Sequence, residues 1–188
     1  MMALFIGKPH VTEYLAERAA NSVVFVSIDG PSQRGSCSGE VVAHNRVLTA
    51  HHCIGEKMWA DGKPAKVLSS DEYFDLALLS VDTGDRPFIS LSDHGIERGD
   101  NLIGIGYAFG WDQLSFIHLR VTLANIIPDP QISPRIATEG EVIMGMSGGP
   151  VVDSMGRMVS IVQLGAENLS MGVSVPIIRA FLLQTDVR

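Results

Sequence analysis

Basic residues are in short supply. The 14 Lys and Arg stand against 21 Asp and Glu, a formal net charge of −7 with a pI near 5.3. Such a surface argues against a general nucleic-acid partner, which needs a basic face, and gives no attraction to anionic membranes. Long apolar runs are missing too: nothing approaches the ~20 residues that cross a bilayer. The apolar start, Met1 to Ile6, has no basic segment ahead of it, no adequate h-region and no clear cleavage site. The expectation is a chain without a secretory signal, resident in the cytoplasm, with a mature secreted form as the alternative. Internal repeats and low-complexity tracts are absent. The cysteines are only two, Cys37 and Cys53. In a cytosolic chain they would stay reduced; paired, they would close a loop whose entropic stabilisation is roughly 3 kcal/mol. With His44, His51 and His52 they form a possible metal cluster, but the spacing matches no standard zinc pattern. No metal and no cofactor are expected.

What is present is a globular composition: 46% hydrophobic and 19% charged residues over 188 positions, long enough to bury a real core. Helical periodicity is confined to the ends, at Pro9 to Asn21 and at Ile177 to Leu183. Between them lie short apolar segments split by Gly, Pro, Asn and Asp. They run Val23–Ile28, Gly39–Ala43, Arg46–Ala50, Ala65–Leu68, Leu76–Val81, Leu102–Tyr107, Phe116–Leu123, Arg135–Thr138, Val151–Val152, Met158–Leu164 and Gly172–Val175. Regularly spaced short strands with turn signals predict an all-β sandwich or barrel architecture. The polar stretch Ser90 to Asp100 reads as a connection between two halves, residues 1–92 and 93–188.

Gly145-Met146-Ser147-Gly148-Gly149-Pro150 is the stretch richest in chemistry. Glycines permit backbone angles that let successive N–H groups converge beside a hydroxyl, the geometry that holds an oxyanion. A serine nucleophile needs a base oriented by a third group, and His52 and Asp75 are candidates upstream. The same residues also satisfy G-x-S-x-G, the nucleophile elbow of α/β-hydrolases. That fold places its histidine after the serine, whereas the last histidine here is His118. Pro150-Val151-Val152 moreover reads as a turn entering a strand rather than a helix. Each feature alone has a plainer reading: Asp75 as a turn carboxylate, the histidine pair as surface residues, the glycines as a loop. Their joint occurrence in the order His, Asp, Ser favours catalysis.

These motifs resemble those of the chymotrypsin/trypsin-like serine proteases. Thr49-Ala50-His51-His52-Cys53 resembles T-A-A-H-C, Asp75-Leu76-Ala77-Leu78-Leu79 resembles D-[IL]-A-L-L, and the Ser147 segment resembles G-D-S-G-G-P. Other stretches are similar to the protease domain of the Deg (high-temperature-requirement) group: Leu91-Ser92-Asp93, Gly104-Ile105-Gly106-Tyr107-Ala108-Phe109-Gly110, Thr138-Glu139 and Gly172-Val173-Ser174-Val175-Pro176. The resemblance runs from about Val23 to Ile178. It implies two antiparallel six-stranded β-barrels, the first carrying His52 and Asp75 and the second Ser147, with a short helix at each end. It also implies Ser147 as nucleophile, His52 as general base, Asp75 as its orienting carboxylate, and the N–H groups of Gly145 and Ser147 as oxyanion hole. Cys37 and Cys53, 16 positions apart, match the disulfide that staples the histidine loop of trypsin-like enzymes.

Departures matter as well. His51 stands where the family has a small residue, and His52 is preferred as base because it directly precedes Cys53. Met146 replaces the aspartate that trypsins pair with a freed amino terminus, so activity without a zymogen switch is expected. The short tail beyond Val175 leads to the expectation of no PDZ domain. For specificity, Gln163, Leu164 and Gly165 are expected to wall the S1 pocket, faced by Gly172 and Ser174. Two readings stay open: Glu141 as a buried acid selecting Lys or Arg, or Val142 and Leu164 lining an aliphatic site. The partner implied is a protein or peptide substrate, with oligomeric state open. The rival functions are a catalytically silent binding module of the same fold and a viral or phage-type processing protease.

Overall fold

The protein is described by a computed structural model covering residues 9–30, 34–110, 112–123, 135–166 and 168–185. The apolar Met1–Ile6 start lies outside the described residues. A first helix, α1 (Pro9–Ala20), leads into six strands: β1 (Val23–Asp29), β2 (Arg34–Ala43), β3 (Arg46–Thr49), β4 (Lys57–Ala60), β5 (Lys63–Asp71) and β6 (Leu76–Ser80). They close into an antiparallel barrel of order β1-β2-β3-β6-β5-β4. Seven strands follow: β7 (Asn101–Gly106), β8 (Ser115–Leu123), β9 (Arg135–Glu139), β10 (Pro150–Val152), β11 (Met158–Ile161), β12 (Leu164–Ala166) and β13 (Leu169–Val173). Helix α2 (Val175–Gln184) ends the described chain, with Pro176 in its first turn where a missing N–H costs nothing.

The counterpart of the second expected barrel is a seven-stranded sheet in order β11-β10-β7-β8-β9-β13-β12. The expected strand Met158–Leu164 is split at Val162-Gln163 into β11, which pairs with β10, and β12, which pairs with β13. An antiparallel bridge pairs Ser160 of β11 with Ser174, just after β13. The all-β fold in two halves expected from the sequence forms, the second half with seven strands where six were expected. The strand missed by sequence reading is β4, whose four residues are too few to show a period.

Side-chain alternation builds three cores. On β1, Val24, Val26 and Ile28 point into the first barrel, while Val23 points out of it. On β3, Val47 points in and Leu48 out; on β7, Leu102 enters the second barrel and Ile103 and Ile105 leave it. The outward set meets in a third core between the barrels: Val23, Leu48, Leu76 and Leu78 against Ile103, Ile105, Ile161 and Val173. Each such fully buried side chain contributes about 1.5–3 kcal/mol. Both helices pack on this seam, α1 through Ala16, Ala19 and Ala20, and α2 through Ile178, Phe181 and Leu182.

One residue breaks the apolar pattern. Glu40 on β2 is fully buried, and neither carboxylate oxygen has a hydrogen-bond partner. Loss of solvent raises its pKa well above the ordinary value of 4.5, which favours the neutral acid.

Candidate active site

His52 sits in a single 3-10 turn, His51–Cys53, between β3 and β4. Cys53 is buried and bonded to Cys37 of β2, so the turn is tied covalently to the barrel wall. Asp75 sits immediately before β6, after a turn in which Asp71 Oδ1 accepts the Phe74 N–H. Its φ of 55° lies in the left-handed region, a cost of about 1–2 kcal/mol for a residue with a Cβ. That conformation turns the carboxylate toward His52. Asp75 Oδ2 lies 2.8 Å from His52 Nδ1, and Oδ1 accepts the His52 backbone N–H at 2.9 Å. The carboxylate thus fixes the ring by two contacts, leaving Nε2 as the nitrogen that can exchange a proton. Asp75 is shielded, at 13% side-chain exposure, and His52 is open at 44%. His51 turns elsewhere, with its Nδ1 buried and unpartnered.

Ser147 is presented by the turn between β9 and β10. The turn leans on the first barrel: Ser38 donates its N–H to the Ser147 carbonyl at 2.8 Å, and Cys53 Sγ lies 3.8 Å from the same oxygen. Ser147 therefore meets the turn that carries His52. Gly148 makes the approach possible. Its φ is 81°, and a Cβ there would fall 2.2 Å from Thr49 Oγ1 and 2.3 Å from the Ser38 carbonyl. Among the described residues the Ser147 hydroxyl makes no hydrogen bond, a looseness common before substrate binds.

The backbone N–H groups of this turn divide into two sets. Met146, Gly148 and Gly149 donate to the carbonyls of Ile143, Val162 and Met146. Those of Gly145 and Ser147, the expected oxyanion hole, have no acceptor among the described residues. The orientation of the Gly145 N–H is set from the neighbouring chain. The Phe109 N–H donates to the Met144 carbonyl at 2.6 Å, and a trans peptide points its N–H the opposite way. Phe109 itself holds φ 55°, and Gly145 holds φ 95°. Ser38 supports the same turn from below, its hydroxyl donating to the Gly145 carbonyl and accepting the Tyr107 N–H. Ser38, Thr49 and Phe109 went unread as supporting residues, because their contacts are with backbone groups far along the chain.

The expected specificity residues scatter. Glu141 is exposed and forms no pocket floor. Val142 packs toward Gly165, where a Cβ would come within 2.4 Å of its methyl group. The space behind it is a cavity of about 10 Å³ lined by Val142, Val162, Ser170 and Gly172, room for about one water. Leu164 is exposed at the cleft, and Ser174 lies in the bridge to Ser160. Gln163 is not a wall residue: it is 2% exposed and turns its amide across the cleft to the Phe74 and Asp75 carbonyls. Among the described residues, the Cys37, His52 and Cys53 cluster has its sulfurs bonded to each other and Nδ1 on Asp75, so it offers a metal little.

The trypsin-like peptidase domain family matches residues 37–161. Among curated relatives, Protease Do-like 5, chloroplastic, from Arabidopsis thaliana is 28% identical over 132 residues, covering 67% of this chain and 41% of that protein. A probable periplasmic serine endoprotease DegP-like from Hahella chejuensis is 31% identical over 128 residues, covering 67% and 27%. The chain thus spans less than half the length of these relatives. Among solved structures, the active form of the Rv3671c protease from M. tuberculosis superposes with a TM-score of 0.82 at 21% identity, covering 95% of this chain and 87% of that one. The serine endoprotease from Yersinia pestis gives 0.80 at 21% identity, covering 93% and 66%. These structural likenesses carry the fold.

The expected cytoplasmic residence is corrected by the same comparison, since the relatives are named as periplasmic and chloroplastic proteins. A bonded Cys37–Cys53 pair agrees, because the reducing cytosol disfavours structural disulfides. With the family model matching residues 37–161, the chain belongs to the trypsin-like peptidase domain family and is related to the Deg proteases.

Proposed function

We propose that the chain is a serine endopeptidase working through Ser147, His52 and Asp75 by way of an acyl-enzyme. The observation that carries this reading is the Asp75 carboxylate on His52 Nδ1, with the Ser147 turn held against the same histidine turn. Ser147 Oγ attacks the scissile carbonyl while His52 Nε2 takes its proton. The Asp75 carboxylate holds the tautomer and stabilises the imidazolium. The two uncommitted N–H groups of Gly145 and Ser147 receive the oxyanion, each such donor being worth about 2.7–4 kcal/mol of barrier. His52 then returns the proton to the leaving amine, and water repeats the sequence to release the acid.

Met146 is fully buried in the second barrel's core, an apolar setting that has no use for a freed amino terminus. Activity without zymogen-type trimming follows from this reading. The exposed Glu141 and the Val142 wall favour a small aliphatic P1 side chain over Lys or Arg. The relatives' named compartments and the disulfide support a working compartment outside the cytoplasm. The substrate is a protein or peptide chain.

A fluorophosphonate probe tests the site directly. It should label the protein and the His51→Ala variant, and fail on Ser147→Ala and His52→Ala. Equal labelling of wild type and Ser147→Ala removes the reading. A peptide library should show Val or Ala before the cut; a preference for Lys or Arg would reinstate Glu141.

A further inference from the structure

Gln163 uses all of its amide inside the protein. Nε2 donates one hydrogen to the Phe74 carbonyl at 2.7 Å and the other to the Asp75 carbonyl at 2.8 Å. Oε1 accepts from Arg135 Nη1. The orientation is forced: a flipped amide would set its NH₂ against a guanidinium and its oxygen against two carbonyls. The Arg135 guanidinium polarises this amide.

Both acceptors belong to the turn that delivers the orienting carboxylate. Asp75 is held at φ 55°, and its own N–H reaches the Glu72 carbonyl only at 3.3 Å, so the local turn restrains it weakly. The neighbour of Gln163 does the corresponding task for the nucleophile. Val162 accepts the Gly148 N–H at 2.7 Å and donates to the Gly149 carbonyl at 2.8 Å. Adjacent residues at the break between β11 and β12 therefore grip the Ser147 turn and the Asp75 turn.

We propose that Gln163, aimed by Arg135, is a positioning residue that fixes the Asp75 backbone from the opposite barrel and thereby sets the pose of the His52 imidazole. This role rests on the triad reading above. A plain packing role predicts something different: the side chain would need only its volume and a partner for Arg135.

The discriminating variant is Gln163→Glu. It keeps the size and the Arg135 partner and removes both donors, facing two carbonyls with a carboxylate. Gln163→Met keeps volume alone. Both should lower kcat by ~10–100-fold, the scale of a small misplacement remote from the bond being broken, while KM stays within about twofold. Both should also shift or broaden the downfield proton NMR signal of His52 Nδ1–H, which is read without turnover. Arg135→Met should show the same change in weaker form, and Arg135→Lys should recover part of it. The proposal is overturned if Gln163→Glu matches wild type in kcat and in the Nδ1–H signal, or if it loses activity only in proportion to unfolded protein by circular dichroism. Fluorophosphonate labelling of wild type separates the two failures. A wild type that never labels at Ser147 sinks the triad reading and this role with it, whereas labelling with indifferent variants sinks this role alone.

Discussion

The two barrels hold the proposed triad by different means. The first carries His52 and Asp75 on side-chain and covalent anchors: a carboxylate on an imidazole and a disulfide to β2. The second carries Ser147 on a glycine-rich turn whose one bulky side chain, Met146, is buried in that half's core, and whose Gly145 and Ser147 N–H groups have no acceptor among the described residues. That turn is steadied largely from outside, by Ser38 and the packing of Thr49 from the first barrel and by Phe109 of the loop after β7. A hydroxyl nucleophile needs open space around it, and open space cannot also be dense packing. The rigidity it lacks locally is therefore borrowed from its neighbours.

The largest expected effect comes from breaking the loan made by Phe109. Phe109→Pro removes the N–H on the Met144 carbonyl and cannot adopt φ 55°, so the Gly145 peptide is released. We expect a loss in kcat of about 10²-fold, the order of one oxyanion donor. Phe109→Gly retains the N–H and suits the angle, and should keep activity near wild type. Equal kinetics in the two variants would show that the turn holds itself.

An intermediate effect is expected at Ser38. Ser38→Ala strands the Gly145 carbonyl and the Tyr107 N–H in a buried site, at about 1–3 kcal/mol in stability by urea unfolding. If the comparison is right, this first-barrel change also slows acylation at Ser147. Unaltered acylation would confine Ser38 to folding.

The smallest effect sharpens the seam between the barrels. Folded Glu40 binds its proton more tightly than the unfolded chain does, so its contribution is most favourable below 4.5 and declines as pH rises toward its raised folded pKa. Glu40→Leu should stabilise the protein by about 1–3 kcal/mol near neutrality and remove that decline. Urea midpoints compared across acidic and neutral pH read it; a variant weaker than wild type at neutrality would contradict the unpartnered state of the carboxyl.

The chemistry-bearing motifs were legible because their residue types are rare in combination, and their order alone excluded the α/β-hydrolase arrangement. Strand positions were legible wherever an apolar or β-branched run reached about five residues between turn signals, as in β1 and β6. β4 escaped because Met58 and Ala60 are too short a signal, even though the turn behind it, Asp61 at φ 49° and Gly62 at φ 75°, is a hairpin type that the dipeptide suggests. The pocket was misread at Gln163 because nothing in a sequence says that a side chain will seek backbone carbonyls 88 and 89 positions away. Val142 was misjudged less: its apolar character was visible, its contact with Gly165 was not.

The break between β11 and β12 has a consequence for safety. Val162 and Gln163 lie where one strand serves both edges of the second barrel, so a fluctuation that parts the barrel there lets go of serine and aspartate together. On the proposed triad reading, such an opening would cost the hydroxyl its setting, and the protein would fall silent before it unravels.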